Sequence, residues 1–466
     1  MKTSRTLEGA PRPASPHSQG TLVARAANDQ ARVEQFELDF GGMGEADAKE
    51  LPPVDRGRGA WGFVAAAFLL ETFLYGFSYS YATILVYFET HDPWQRESIA
   101  ALSAVGTTSL ALQFLFPTFA VLAFRRYPEA VKPSLWVSMV ATCGAMLISS
   151  WATKVWQLIV LQGVVCGAAN AVLFAPVWLY LSEWWVARRG LAFGIVLSGI
   201  GVGGFAFPFL LNALLETGGF PWLCRAWALI MLVVLATAIM LIKPRVPRPT
   251  PAKGQRGPWL AVDPSFVRDP IFVLMSISSL LAALSYLPVA LLLPVYASGF
   301  TSSTTQQNLI LAIFNLFAAI GAALSGRVSD YSYSLTVVGC GVCGALVSLT
   351  AWGLADNIVK TYAFAILFAL TGQSVSSWGG AARDVAKQNP NTSTLALCLF
   401  SVVRGCGSIV MPFVSEMLYN PNDLGKETAW GSNGFEKMIV FVGITSALSA
   451  LGGVGLVWCN WRKRAE

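Results

Sequence analysis

Read for apolar and polar positions, the chain is polar over its first 56 residues. It then becomes a series of long apolar runs parted by short charged ones. Runs of roughly 20 residues, long enough to cross a bilayer, lie near 60–86, 98–122, 134–153, 155–180, 189–213, 223–242, 270–294, 305–326, 334–354, 359–381, 393–417 and 436–460. The pattern predicts an all-α membrane protein with about twelve transmembrane helices. Only the turn around Thr153–Lys154 separates the third run from the fourth, so these two must form an antiparallel hairpin.

The stretch Leu181–Leu211 departs most from an ordinary helix. A charged turn with Glu183, Arg188 and Arg189 leads into a run holding Gly190, Gly194, Gly199, Gly201, Gly203 and Gly204, with Pro208 near its end. In water each glycine would cost a helix roughly 1 kcal/mol against alanine. In a bilayer no water can take the freed backbone groups, so the helix holds, and its glycines offer a flat face to a neighbour. The pattern returns later. Gly201, Gly203, Pro208 and Phe209 are matched by Gly405, Gly407, Pro412 and Phe413, each 204 residues on (405 − 201, for instance). Such a repeat implies two related halves, as in many secondary transporters. The counterpart of Ile200 is Arg404, a cation inside an apolar run.

Charge divides and orients the chain. Residues 1–56 read as a disordered cytoplasmic tail without a secretory signal, leaving the first span to direct insertion. Residues 57–242 read as an N-terminal six-helix bundle, 243–268 as a basic, proline-rich cytoplasmic linker, 269–460 as a C-terminal six-helix bundle and 461–466 as a cytoplasmic tail. Bases flank alternate loops: Arg56 and Arg58, Arg125 and Arg126, Arg188 and Arg189, the linker, Arg327, Arg383 and Lys387, and Arg462 to Arg464. The positive-inside rule then puts both termini in the cytoplasm. The sequon at Asn391 falls on that side and is expected to stay unmodified.

Composition narrows the class. The chain is 55% hydrophobic and 12% charged, against about a quarter charged in soluble proteins. The net charge of +6 sits in short loops and is no nucleic-acid signal. His17 and His91 both lie outside the spans, so no histidine relay crosses the membrane. Cys340 and Cys343 fall within a span and read as small packing residues. No clustered acids, histidines or cysteines suggest an enzyme or a metal site, no cofactor is implied, and no G-x-x-x-x-G-K-[ST] motif binds ATP.

Several segments resemble the major facilitator superfamily and, within it, the fungal branch of the monocarboxylate porter family. Arg58–Phe63 (RGAWGF), following Asp55, resembles that family's opening motif in degraded form. Gly163 through Pro176 and Tyr180 to Arg189–Gly194 resembles its fourth and fifth spans. Gly326-Arg327-Val328-Ser329-Asp330 resembles the superfamily loop motif, and Arg404-Gly405-x-Gly407 the family's eleventh span. The corresponding loop after the second span, Phe124–Tyr127, keeps its bases and lacks the glycine and aspartate. The resemblance covers about residues 55–460 and implies a major facilitator fold with alternating access. The eighth span lacks the Asp and Arg, and the first the Lys, that animal monocarboxylate carriers use, so lactate-type symport does not carry over.

A guanidinium at bilayer depth costs about 3 kcal/mol on insertion scales and persists against a wet cavity or a partner. Arg404 therefore reads either as the anchor of an anionic substrate or as a cation satisfied by backbone carbonyls or Glu71. Glu71, in mid-span, reads as a proton-coupling site or as a neutral acid bonded within the bundle. Asn170, Asn315, Gln373 and Tyr75 are further substrate-binding candidates, with Tyr79, Trp178 and Trp378 able to stack on a flat solute. Arg327, Asp330, Glu183, Arg188 and Arg189 are gating candidates, the first two through the resemblance. The reading is a monomeric secondary transporter of a small organic acid or related anionic metabolite, proton-coupled, in the plasma membrane or a vacuolar or other internal membrane. An efflux pump for a fungal secondary metabolite and a transporter-like nutrient sensor stand as alternatives.

Overall fold

A computed structural model of the chain describes residues 51–466 apart from 248–255, 257–258, 260–263, 372–373, 387–389, 424–429 and 466. The expected tail lies outside these up to residue 50. The described residues are helical, with no strand among them. Among the described residues, eleven helices are long and apolar enough to cross a membrane. One of these, Arg189–Leu241, holds 53 residues, more than twice a single crossing. It breaks at Gly219, whose φ of 66° favours glycine, two residues before Pro221, which lacks an amide to continue the ladder.

Contacts show that this long helix doubles back. Near residue 190 it meets Asp55 and Asp330. At the break, Phe220 packs on Phe88 and Trp94. By residues 239–242 its carbonyls accept from Lys132 Nζ, back at the first end. The described residues thus make twelve traverses. In order, α1 is Arg58–Phe88, α2 Ile99–Arg126, α3 Val131–Ser149, α4 Val155–Trp184, α5 189–218, α6 220–241, α7 Pro270–Ser298, α8 Thr304–Ser329, α9 Tyr333–Trp352, α10 Ile358–Ala386, α11 Pro390–Leu418 and α12 Glu436–Ala465. Exposed apolar side chains such as Val137, Val140, Leu229, Val233 and Leu451 stud the outside, where lipid, not water, is the natural solvent.

The glycines of α5 do what their spacing suggests, on two faces. A methyl on Gly194 or Gly201 would strike the α8 backbone at Ala322 or at Asn315 and Ala319, and one on Gly204 would lie 2.8 Å from the Asn315 side chain. Gly199 and Gly203 instead abut α1, where a methyl on Gly203 would lie 2.8 Å from Gly76 Cα and from the Thr72 carbonyl. So α5 is wedged between a helix of its own half and one of the other. Its sequence counterpart α11 is wedged likewise: Gly405 abuts Phe114 of α2, and Gly407 abuts Ala283 of α7.

Several helices run on past their expected ends. The fourth span continues to Trp184 and the tenth to Ala386. Glu183 therefore lies inside α4, not in a turn; the Trp184 indole N–H donates to the Lys243 carbonyl at 2.9 Å, which ties the added turn down.

Candidate functional site

In α1 the α-helix gives way at Glu71–Tyr75 to a π-helical turn. A widened turn inserts a residue and re-aims its side chains, and such turns recur at functional sites. Glu71 and Tyr75 both reach a central cavity here, with Tyr79 one turn on. The cavity is walled by α1, α2, α4, α5, α7, α8, α10 and α11. It has room for at least a few waters.

Its charged groups come from opposite halves of the chain. Glu71 from α1 is 2% exposed and Arg404 from α11 is 8% exposed. They are close enough to interact electrostatically, yet no salt bridge joins them among the described residues, and Glu71 Oε2 is buried without a protein partner. The Tyr79 hydroxyl lies beside the guanidinium. Ile200 lines the same cavity as its repeat partner Arg404, so equivalent positions in the two halves face one space.

The other candidates divide. Asn315 lines the cavity, its Nδ2 donating to the Gly204 carbonyl at 3.3 Å across the α5–α8 seam. Tyr75 lines it by its ring, while its hydroxyl donates to the Gln113 carbonyl at 2.8 Å. Asn170 does not line it: its Oδ1 accepts from Thr142 at 3.0 Å, holding α4 to α3. Gln373 lies outside the described residues. Trp178 of α4 and Trp378 of α10 line the cavity with ring centroids 6.5 Å apart at 27°. Phe114, Phe174 and Tyr286 complete an aromatic wall. These three carry no signal in the sequence, because a phenyl or phenol ring in an apolar run looks the same on a lipid face as on a cavity face.

Toward the end of the molecule where Asp55 lies, hydrogen bonds tie α5 to α8 and α11. The backbone amides at the start of α5 are shared by two carboxylates. Asp55 accepts from the amides of Val186 at 3.1 Å, Ala187 at 3.0 Å and Arg188 at 3.0 Å. Asp330, just after α8, accepts from Gly190 at 2.6 Å and Leu191 at 3.1 Å. An anion at a helix N-terminus satisfies free donors and the dipole together. Burial pushes the Asp330 carboxyl up to about 6, against the pull of those two amides and of Arg327, and the nearby Asp55 charge adds to the rise. Arg189 is buried and donates to Ser393 of α11 at 3.1 Å. Arg125 donates to Asn391 at 2.7 Å, an exposed contact between α2 and α11.

The remaining gating candidates make the following contacts among the described residues. Glu183 is buried and accepts from the Arg245 amide at 3.1 Å, closing the exit of α6 onto α4. Arg188 is exposed, contributing its backbone amide. Arg327 is exposed over the Tyr331 ring, 5.1 Å from its centroid. Asp55, which the sequence reading used only as part of a motif, proves central; an acid just ahead of the first span was its signal.

Comparisons with known proteins agree with this architecture. A "Fujikurins efflux protein" of Gibberella fujikuroi is 24% identical over 424 residues, 90% of this chain and 85% of the relative. An "MFS-type transporter pynF" of Aspergillus niger is 28% identical over 298 residues, 63% of this chain and 67% of the relative. Among solved structures, a bacterial homologue of the iron transporter ferroportin in an outward-facing state superposes with a TM-score of 0.58 at 15% identity, over 86% of this chain and 99% of that one; it speaks for the fold alone. With residues 63–412 matching the family and twelve helical traverses around a central cavity, the chain belongs to the Major Facilitator Superfamily of membrane transporters.

Proposed function

We propose that the chain exports an anionic organic metabolite by alternating access, carrying one proton with each anion. The observation that carries this reading is Glu71 and Arg404, one from each half, buried in the walls of one cavity without a salt bridge between them. In the empty carrier the two charges balance through space. A substrate carboxylate takes the guanidinium, which forks onto carboxylates, and Glu71 takes a proton so that two anions do not face one cation. Anion and proton cross together, and the step is electroneutral. The six-helix groups 57–242 and 269–460 rock about the site, as inferred for transporters built from repeats.

Direction follows from gradients: a metabolite made inside the cell leaves. The efflux name of the relative from Gibberella fujikuroi supports that direction, and the degraded opening motif at Arg58–Phe63 supports a place near the monocarboxylate porters. The basic loops support an orientation with both termini in the cytoplasm of a cell whose plasma membrane the protein spans as a monomer. The Asp330 cap and the Arg189–Ser393 contact then form the cytosolic gate, closed in this state. Counterflow of labelled organic acids into vesicles holding the purified protein tests the reading. We expect uptake against unlabelled acid inside, lost in Arg404→Gln; counterflow that survives that change removes Arg404 from the site.

A further inference from the structure

The cavity's hydrogen-bonding inventory goes further than its charge. Two of its aromatic polar groups are already used. Trp378 Nε1 donates to Ser279 Oγ at 2.8 Å, and the Tyr75 hydroxyl donates to the Gln113 carbonyl. Trp178 differs. It lines the same cavity and is 3% exposed, and its Nε1 is buried with no partner among the described residues. A buried donor left unmade is costly; among the described residues Nε1 of Trp185, Trp227 and Trp352 is unmet as well, and of these four only Trp178 lines the cavity, where a solute can serve as acceptor. Arg404 supplies a second set of donors. The surrounding wall is aromatic on many sides: Tyr79, Phe114, Phe174, Trp178, Tyr286 and Trp378, drawn from five helices.

Ring pairs in offset or edge-to-face geometry gain stability beyond the area they bury. A short aliphatic acid would use only Arg404 and leave the Trp178 N–H unpaired.

We propose that the cargo class is a flat aryl or conjugated acid bearing a second acceptor, such as a carbonyl, away from its acid group. The acid meets Arg404, the ring lies against the aromatic wall, and the second acceptor takes the Trp178 N–H. This rests on the carrier reading above, but it is tested by binding and so can fail separately.

The experiment uses the purified full-length protein in nanodiscs, with thermal shift and tryptophan quenching as readouts. The probes are lactate, cyclohexanecarboxylate, benzoate and 4-acetylbenzoate. Cyclohexanecarboxylate matches benzoate in size without its flat ring, and 4-acetylbenzoate adds a carbonyl opposite the acid. Benzoate should bind several-fold tighter than cyclohexanecarboxylate and lactate, and 4-acetylbenzoate about tenfold tighter than benzoate, one hydrogen bond's worth. In Trp178→Phe that tenfold preference should fall to near one while benzoate still binds. Equal binding of all four acids, tightest binding by lactate, no binding by any, or a preference for the acetyl group that survives Trp178→Phe each overturns the assignment. The wild-type ranking stands as a test even if the variant does not fold. Counterflow of the tightest probe separates the two readings: a probe bound but not carried fails the carrier reading and leaves the ligand class intact.

Discussion

Helices α5 and α11 carry the same glycine pattern and meet different partners. In α5, Gly194 and Gly201 press onto the α8 backbone itself. In α11, Gly405 presses onto the side chain of Phe114, and Ser401 Oγ reaches the Phe114 carbonyl only at 3.5 Å. The first seam is backbone on backbone, closed at one end by the half-buried Asp330 cap. The second has a ring in it, closed at the same end by the exposed Arg125–Asn391 bond. At the cavity the asymmetry is chemical: α5 presents Ile200 where α11 presents Arg404. Two helices of like glycine pattern thus make one smooth seam and one that bears the charge.

The largest effect should come from making the walls alike. Arg404→Ile gives α11 the residue of α5. It should lower transport by roughly 10- to 100-fold, the range for losing a hydrogen bond to a charged group. Protein abundance in the membrane should hold, since isoleucine suits a lipid-buried helix; vesicle flux normalised to protein checks it.

Next comes packing. Gly201→Ala would collide with α8 backbone, which cannot turn aside, and should cost about 1–3 kcal/mol. Gly405→Ala meets a ring that can shift and should cost less. Melting temperatures of the two variants in one detergent check the order, and an equal loss would break the contrast between seams.

A third effect is pH-dependent. The Asp330 carboxyl, at about 6 in the closed seam, should return toward its ordinary value of about 3.9 once the seam parts and water reaches it. The closed state therefore holds the proton more tightly, and acidification through about 6 favours closure. Arg327 opposes that rise and Asp55 adds to it. Spin-label distances across the α5–α8 seam should shorten as pH falls from 7.5 to 5.5, and Asp330→Asn should remove the change. The smallest effect should be Arg125→Ala, which loses an exposed contact and should cost no more than about 0.5 kcal/mol.

Much of the fold was legible because lipid imposes simple rules. Twenty apolar residues make a span, and a base-rich loop marks one end; Gly219 and Pro221 sit where the fifth run ends and the sixth begins. Glu71 and Arg404 stood out because charge is rare at that depth. Asn170 did not behave as hoped: an amide in an apolar helix seeks any partner, and the sequence does not say whether Thr142 or a solute provides it. The Asp55 and Asp330 caps escaped as a pair because they bind backbone amides, which carry no residue signature. The aromatic wall escaped because facing is a property of packing.

The most direct measurement compares two fluxes in vesicles holding Glu71→Gln, using an acid the wild-type protein carries. Counterflow needs no net proton movement, whereas net flux driven by a pH difference does. We predict that the variant keeps counterflow and loses the pH-driven flux. PH-driven flux at the wild-type level in Glu71→Gln would contradict the claim that Glu71 and Arg404 carry proton and anion together.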